Sequence, residues 1–133
     1  SRGDDSGTHK AEQRLWSETL VDTVSASGTW YRETGSGMGA TLNMAASMEA
    51  YTLTDRASWL SFTNKRNLAV LVQGDRRLFN QYGVIAVNAE KHLNVDAVAA
   101  QAFINWLTGP EGQLAISNFR LNDTQLFFPN AQR

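Results

Sequence analysis

Two short runs set the terms for this chain: Leu68-Ala-Val-Leu-Val72 and Gly83-Val-Ile-Ala-Val87 contain no polar side chain. A strand with one wet face alternates polar and apolar residues. A run apolar throughout asks for cover on both faces, as a parallel-type strand between helical layers has, although periodicity alone does not separate so short a run from a buried helical segment. The first run closes at Gly74-Asp75 and the second at Asn88. With 133 residues, 42% of them hydrophobic and 19% charged, the chain has the length of one domain and the composition of a folded core. Collagen-like, disordered and long coiled-coil classes are excluded.

Helical patterns surround these runs. From Thr8 onward Ala11, Leu15, Trp16 and Leu20 mark one face, with Ser6 or Thr8 as N-cap. The stretch Gly39 to Met48 places Leu42, Ala45, Ala46 and Met48 on one side, behind Ser36 and Gly37 as loop and cap residues. Asp22 to Trp30 reads as a loop. Ala50 to Thr54 predicts a short strand, and Thr54-Asp55 a cap for a helix burying Trp59, Leu60 and Phe62. Val95, Val98, Ala99, Ala102, Phe103, Trp106 and Leu107 form the clearest helical stripe, capped by Asn94 and stopped at Gly109. Pro110 then takes the first position of a helix burying Leu114, Ile116 and Phe119. The tail Leu126 to Ala131 is apolar enough that it is expected to pack. Helices alternating with short apolar strands predict an α/β layered fold, a small sheet flanked by helices. No internal repeat, linker or low-complexity stretch is visible.

Charge and residue usage narrow the function classes. Lys plus Arg is 12 and Asp plus Glu is 13, so no global attraction to nucleic acid or anionic lipid is expected and any anion must be bound locally. The absence of cysteine removes disulfides, thiolate metal sites and cysteine nucleophiles, and leaves the compartment open. No apolar run approaches about 18 residues, so no membrane insertion is expected. The opening Ser1-Arg-Gly-Asp-Asp5 offers no signal peptide to read; an exported protein would have lost its signal before this numbering begins.

Two loops can carry chemistry. Ser1-Arg-Gly-Asp-Asp-Ser-Gly-Thr8 leads into a helix whose first amides lack partners, and small residues let an anion approach them. Ser6 and Thr8 add hydroxyls, and Arg2 adds a fork matching two oxygens of a tetrahedral oxyanion. In the plainer alternative Ser6 or Thr8 merely caps the helix and Arg2 pairs with Asp4 or Asp5. Arg32-Glu-Thr-Gly-Ser-Gly-Met-Gly39 has the same form, is neither a dinucleotide fingerprint nor a P-loop, and can be only a tight turn. Two such loops in one small domain favour a ligand shared between converging helix starts. His9, Asp4, Asp5 and Glu12 lack metal-site spacing, so no metal is expected. His9 and His92 are the only candidate bases for a serine triad, and with no Gly-x-Ser-x-Gly elbow no catalysis is expected. The tripeptide Arg2-Gly3-Asp4 is common by chance, and the four tryptophans read as core residues.

Several of these segments, taken in order, resemble the tungstate-binding proteins of ABC transporters: Ser1 to Lys10, Trp30-Tyr-Arg-Glu-Thr-Gly-Ser-Gly-Met-Gly-Ala-Thr-Leu-Asn-Met-Ala45, Ala50 to Arg56, Tyr82 to Asn88, Phe103 to Gln113 and Phe127 to Ala131. The resemblance implies a type II periplasmic binding protein, two α/β lobes that close over a bare tungstate or molybdate ion for import, with a permease as partner, no nucleic acid, no further cofactor, and a periplasmic or other extracytoplasmic location. It implies that Arg2, Ser6, Gly7 and Thr8 form one anion loop and Ser36, Gly37 and Met38 the other, with Thr52 to Arg56 near the cleft. It also implies that residues 1–80 form the second lobe and residues 81–133 the hinge-return strand and C-terminal helices that complete the first lobe, whose N-terminal segment is missing here. Apolar surface on Val84 to Val87, Phe103, Trp106 and Phe127-Phe128 then needs a missing first-lobe segment or a homo-oligomer, including exchange of C-terminal regions between copies. The alternative is a truncated lobe that associates with itself or another partner and plays no part in transport.

Overall fold

A computed structural model describes residues 1–131. The chain forms two compact units, Ser1–Asn80 and a second beginning at Gln81. In the first, α1 spans Gly7–Ser17, α2 Thr23–Ala26, α3 Met38–Met48 and α4 Arg56–Ser61, followed by a 3₁₀ turn at Arg76–Leu78. In the second, α5 spans Ala97–Thr108 and α6 Pro110–Asn118, and β1 (Arg120–Leu121) pairs antiparallel with β2 (Thr124–Gln125). Among the described residues no helix is long and apolar enough to cross a membrane.

Local chemistry explains where the helices start. Ser6 caps α1 by accepting from the His9 amide, so of the two N-cap candidates Ser6 is the one used. Asp55 accepts from the Ser58 amide at the head of α4, and Pro110 occupies the first turn of α6, where its missing N–H costs nothing. Two expectations need correction. The supposed loop after Asp22 contains α2, because the Asp22 carboxylate accepts from both the Val24 and Ser25 amides. The cap of α5 is Asp96 and not Asn94: the Asp96 carboxylate accepts from the Ala99 amide at 2.9 Å.

The sheet is where the expected α/β layering departs most from the structure. Neither Leu68–Val72 nor Gly83–Val87, nor Ala50–Thr54, is a strand. Beyond the Leu68 amide, which donates to the Lys65 carbonyl at 2.8 Å, neither apolar run makes a main-chain hydrogen bond among the described residues. A strand exists only through a ladder with a neighbour, and among the described residues no segment makes one with these runs. They are largely exposed, Ile85 at 89%. The two-stranded sheet that does form turns through Asn122 and Asp123, both left-handed with φ of 49° and 61°, a pair suited to a tight hairpin.

The core of the first unit lies under α3. Met38, Thr41, Leu42, Ala45 and Ala46 are buried together with Ala26 and Tyr31, and Leu42 is only 1% exposed. In the second unit α5 packs on α6, and the joint at Gly112 is close: an added β-carbon there would lie 2.3 Å from the Trp106 carbonyl oxygen and 2.7 Å from Leu107 Cα. The expected apolar stripe of α5 is largely uncovered, with Val98 83% exposed and Phe103 and Trp106 also exposed. Of the tail, Leu126 is buried and Phe128 is not. Trp30 and Trp106 are likewise exposed and are not core residues.

Candidate functional site

The two glycine-rich loops lie side by side. The Thr34 amide donates to the Ser1 carbonyl at 3.1 Å and the Ser36 amide to the Arg2 carbonyl at 3.3 Å. Beneath this seam the hydroxyls of Thr34 and Thr41 are 2.8 Å apart, and Thr41 also donates to the Gly37 carbonyl at 3.1 Å. Thr34 reaches the Arg2 carbonyl as well, at 3.3 Å. Because Thr41 is buried on α3, these bonds anchor both loops to the core. Thr34 and Thr41 were not singled out from the sequence. The only signal available was that Thr41 sits on the face of Leu42 and Ala45, where an unpaired hydroxyl would be costly.

Each loop opens a helix, and the donors divide into spent and free. The Ser6 amide donates to Asp4 Oδ1 at 3.3 Å, the Asp5 amide to His9 Nδ1 at 3.1 Å, and the His9 amide to Ser6 Oγ at 3.3 Å. Among the described residues the Gly7 and Thr8 amides and the Thr8 hydroxyl have no protein acceptor. At α3 the N-cap Gly37 has no side chain to offer, which leaves the Met38 and Gly39 amides in the same condition. The Met38 side chain is buried in the core, so only its main chain is available to a ligand. Ser36 Oγ is turned to the Thr34 carbonyl, 3.0 Å away.

Arg2 is engaged with its neighbour. Its Nε and Nη2 both donate to Asp4 Oδ2, at 3.0 and 2.5 Å, which is the local pairing that the plainer reading of the loop anticipated. The hydrogen bond from Ser6, followed by those from Arg2, holds the Asp4 carboxyl below the usual carboxylate range. Asp5 in turn lies 3.4 Å from Lys10 Nζ. The loop region therefore presents oriented dipoles with nearly cancelling side-chain charges, a surface that can solvate an anion without carrying a large net field.

Other sequence candidates fall elsewhere. Thr52 donates to the Leu53 carbonyl at 3.4 Å, Asp55 is spent as a cap, and Arg56 donates to Gln73 Oε1 at 3.3 Å. Among the described residues no group of three or more His, Cys, Asp or Glu side chains could hold a metal ion. The first unit also contains a cleft of about 1260 Å³, walled by Trp16, Trp30, Tyr31, Tyr51 and Trp59 and by the Leu68–Val72 run. Its size and apolar walls suit a polypeptide segment better than a small oxyanion.

The fold and this pair of loops define a class. The chain belongs to the PBP superfamily, whose domain model matches residues 1–111. Within that class it is a homologue of tungstate-binding proteins. It is 43% identical over 135 residues to the tungstate-binding protein TupA of Peptoclostridium acidaminophilum, an alignment covering 100% of this chain and 46% of that protein. A Haloferax volcanii protein assigned as an ABC transporter anion-binding protein is 48% identical over 136 residues, covering 98% of this chain and 39% of the other. The solved structure of TupA from Desulfovibrio alaskensis superposes with a TM-score of 0.79 at 41% identity, over 99% of this chain and 54% of that one. The chain thus spans about half the length of the relatives it matches, and those relatives are named as binding proteins, not as enzymes.

Proposed function

We propose that this chain supplies one side of an extracytoplasmic receptor for tungstate or molybdate, feeding an ABC-type importer through its permease, and that it binds without catalysis. The observation that carries this reading is the seam between the loops: the Ser36 amide on the Arg2 carbonyl brings together two helix starts whose Gly7, Thr8, Met38 and Gly39 amides are unspent. A dianion stripped of water must have its lost hydrogen bonds replaced, and uncharged donors aimed at one point do so without reorganising. In this reading Arg2, Ser6, Gly7 and Thr8 line one wall and Ser36, Gly37 and Met38 the other. Arg2 turns from Asp4 to the guest, or shares itself between them. Residues 1–80 act as the second lobe, and those from Gln81 on return to the first.

Calorimetric titration with tungstate tests the assignment. Binding is expected to be much weaker than for a two-lobed receptor, and Arg2→Ala is expected to weaken it further by roughly 1.5–3 kcal/mol, the range of a charge-assisted hydrogen bond. An unchanged affinity returns Arg2 to its pairing with Asp4. A second reading, a self-associating or partner-binding lobe without a transport role, draws on the exposed apolar residues Leu71, Val72, Ile85 and Val87. Light scattering on a size-exclusion column separates the two: a stable dimer indifferent to tungstate favours the second reading, whereas thermal stabilisation by the anion favours the receptor.

A further inference from the structure

His9 carries a set of contacts that neither helix capping nor anion binding explains. Its Nδ1 lies 3.1 Å from the Asp5 amide, and its Nε2 lies 3.3 Å from the side-chain amide of Gln13. A main-chain N–H can only donate, so Nδ1 holds a lone pair and the proton of the neutral ring sits on Nε2. Gln13 Nε2 faces that nitrogen and donates to the Tyr31 hydroxyl at 2.8 Å, so a ring proton on Nε2 requires the Gln13 amide to turn over and present its oxygen. Tyr31 is buried, 5% exposed, and its ring stands edge-on to Trp16 at 6.2 Å. A continuous chain of donors and acceptors thus runs from the core through Tyr31, Gln13 and His9 to the main chain of Asp5. At its end Asp5 has a left-handed backbone, φ 58°, a region that aspartate enters more readily than most side chains.

We propose that His9 is the positioning residue of the Asp4–Gly7 turn: with its proton on Nε2 it accepts the Asp5 amide and fixes the turn in the shape that leaves the Gly7 and Thr8 amides free for a ligand. The effect on affinity rests on the receptor reading above, while the latch itself does not. Of the charged groups on the turn and on α1, Asp5 is paired with Lys10, Asp4 with Arg2, and Glu12 accepts from Trp16 Nε1 at 3.1 Å. Protonation of the ring places a proton on Nδ1 facing the Asp5 N–H, donor against donor, and the latch opens. A new positive charge would by itself attract an anion, so the two modes of action have opposite signs.

Residue-resolved ¹⁵N NMR of the ring and of the Asp5 amide, paired with tungstate titrations at micromolar concentration on either side of the ring protonation that the NMR itself records, tests the latch on the whole chain in wild type, His9→Asn and His9→Leu. The Asn amide oxygen can replace Nδ1 as acceptor, whereas Leu cannot. The expected result is a neutral ring protonated on Nε2, an Asp5 amide whose resonance follows the ring titration, and hydrogen-exchange protection of that amide kept in His9→Asn and reduced up to about tenfold in His9→Leu. Tungstate affinity falls severalfold on acidification in wild type and stays level in His9→Asn. A neutral ring protonated on Nδ1, an Asp5 amide indifferent to the ring, or an affinity that rises in acid overturns the proposal. If the amide follows the ring but no variant binds tungstate, the latch stands and the receptor reading falls.

Discussion

Helices α3 and α5, one in each unit, are of similar length and bury very different amounts of themselves. In the N-terminal unit α3 submerges Met38, Thr41, Leu42, Ala45 and Ala46, and the segment around Tyr31 closes over them. In the C-terminal unit α5 has no buried residue, and α6 buries only Gly112, although the apolar pattern of α5 is the stronger of the two in the sequence. The difference teaches that capping and spacing are enough to start and stop a helix, whereas burial requires a second surface. Where none is present the apolar stripe stays wet.

That contrast can be broken or sharpened by substitution. The largest effect is expected at Leu42: Leu42→Ala should lower the stability of the N-terminal unit by about 3–5 kcal/mol, while Leu114→Ala, at a position 60% exposed on α6, should change stability by less than about 0.5 kcal/mol. Urea unfolding followed by circular dichroism reads both, and equal losses would erase the distinction between the units. Gly112→Ala comes next. A methyl group 2.3 Å from the Trp106 carbonyl must push α5 and α6 apart, costing about 1–3 kcal/mol and shifting resonances on both helices. The smallest effect concerns acid. Asp75 is held down to about pKa 2, first by its hydrogen bonds from the Arg77 side chain and main chain. A carboxyl lowered on folding from 3.8 to about 2 contributes stability that is complete above pH 4 and is lost as pH falls from 4 towards 2. Asp75→Asn should flatten that part of the acid-unfolding curve, and an unchanged curve would show that the pair is fully screened by water.

Much of this could be read from residues in advance, for one physical reason. Ser6, Asp55 and Pro110 act within one turn of themselves, so their effect on the chain is written locally. The strands could not be read that way. Val70 and Val84 carry side chains suited to a sheet, but a ladder is a property of two segments, and no segment among residues 1–131 pairs with either. Asp96 shows a finer failure, since Asn94 and Asp96 could each have capped α5 and only the three-dimensional path decides which side chain reaches the free amide, whereas at Asp22 the one-turn helix that the carboxylate caps is too short to show a period. At the candidate site both glycine loops were visible as sequence. Their adjacency depends on Thr34 and Thr41 meeting under the seam, which no spacing rule announces.

Those seam bonds join residues more than thirty positions apart: Thr34 to Ser1, Ser36 to Arg2. A contact that spans so much chain pays its closure entropy before returning any enthalpy, so it forms after the helices it connects. Whatever recognises a guest at the paired loops is accordingly a late product of folding. Mild denaturant should dissolve it while α1 and α3 still turn, making ligand competence a more sensitive gauge of this unit's integrity than its helix content.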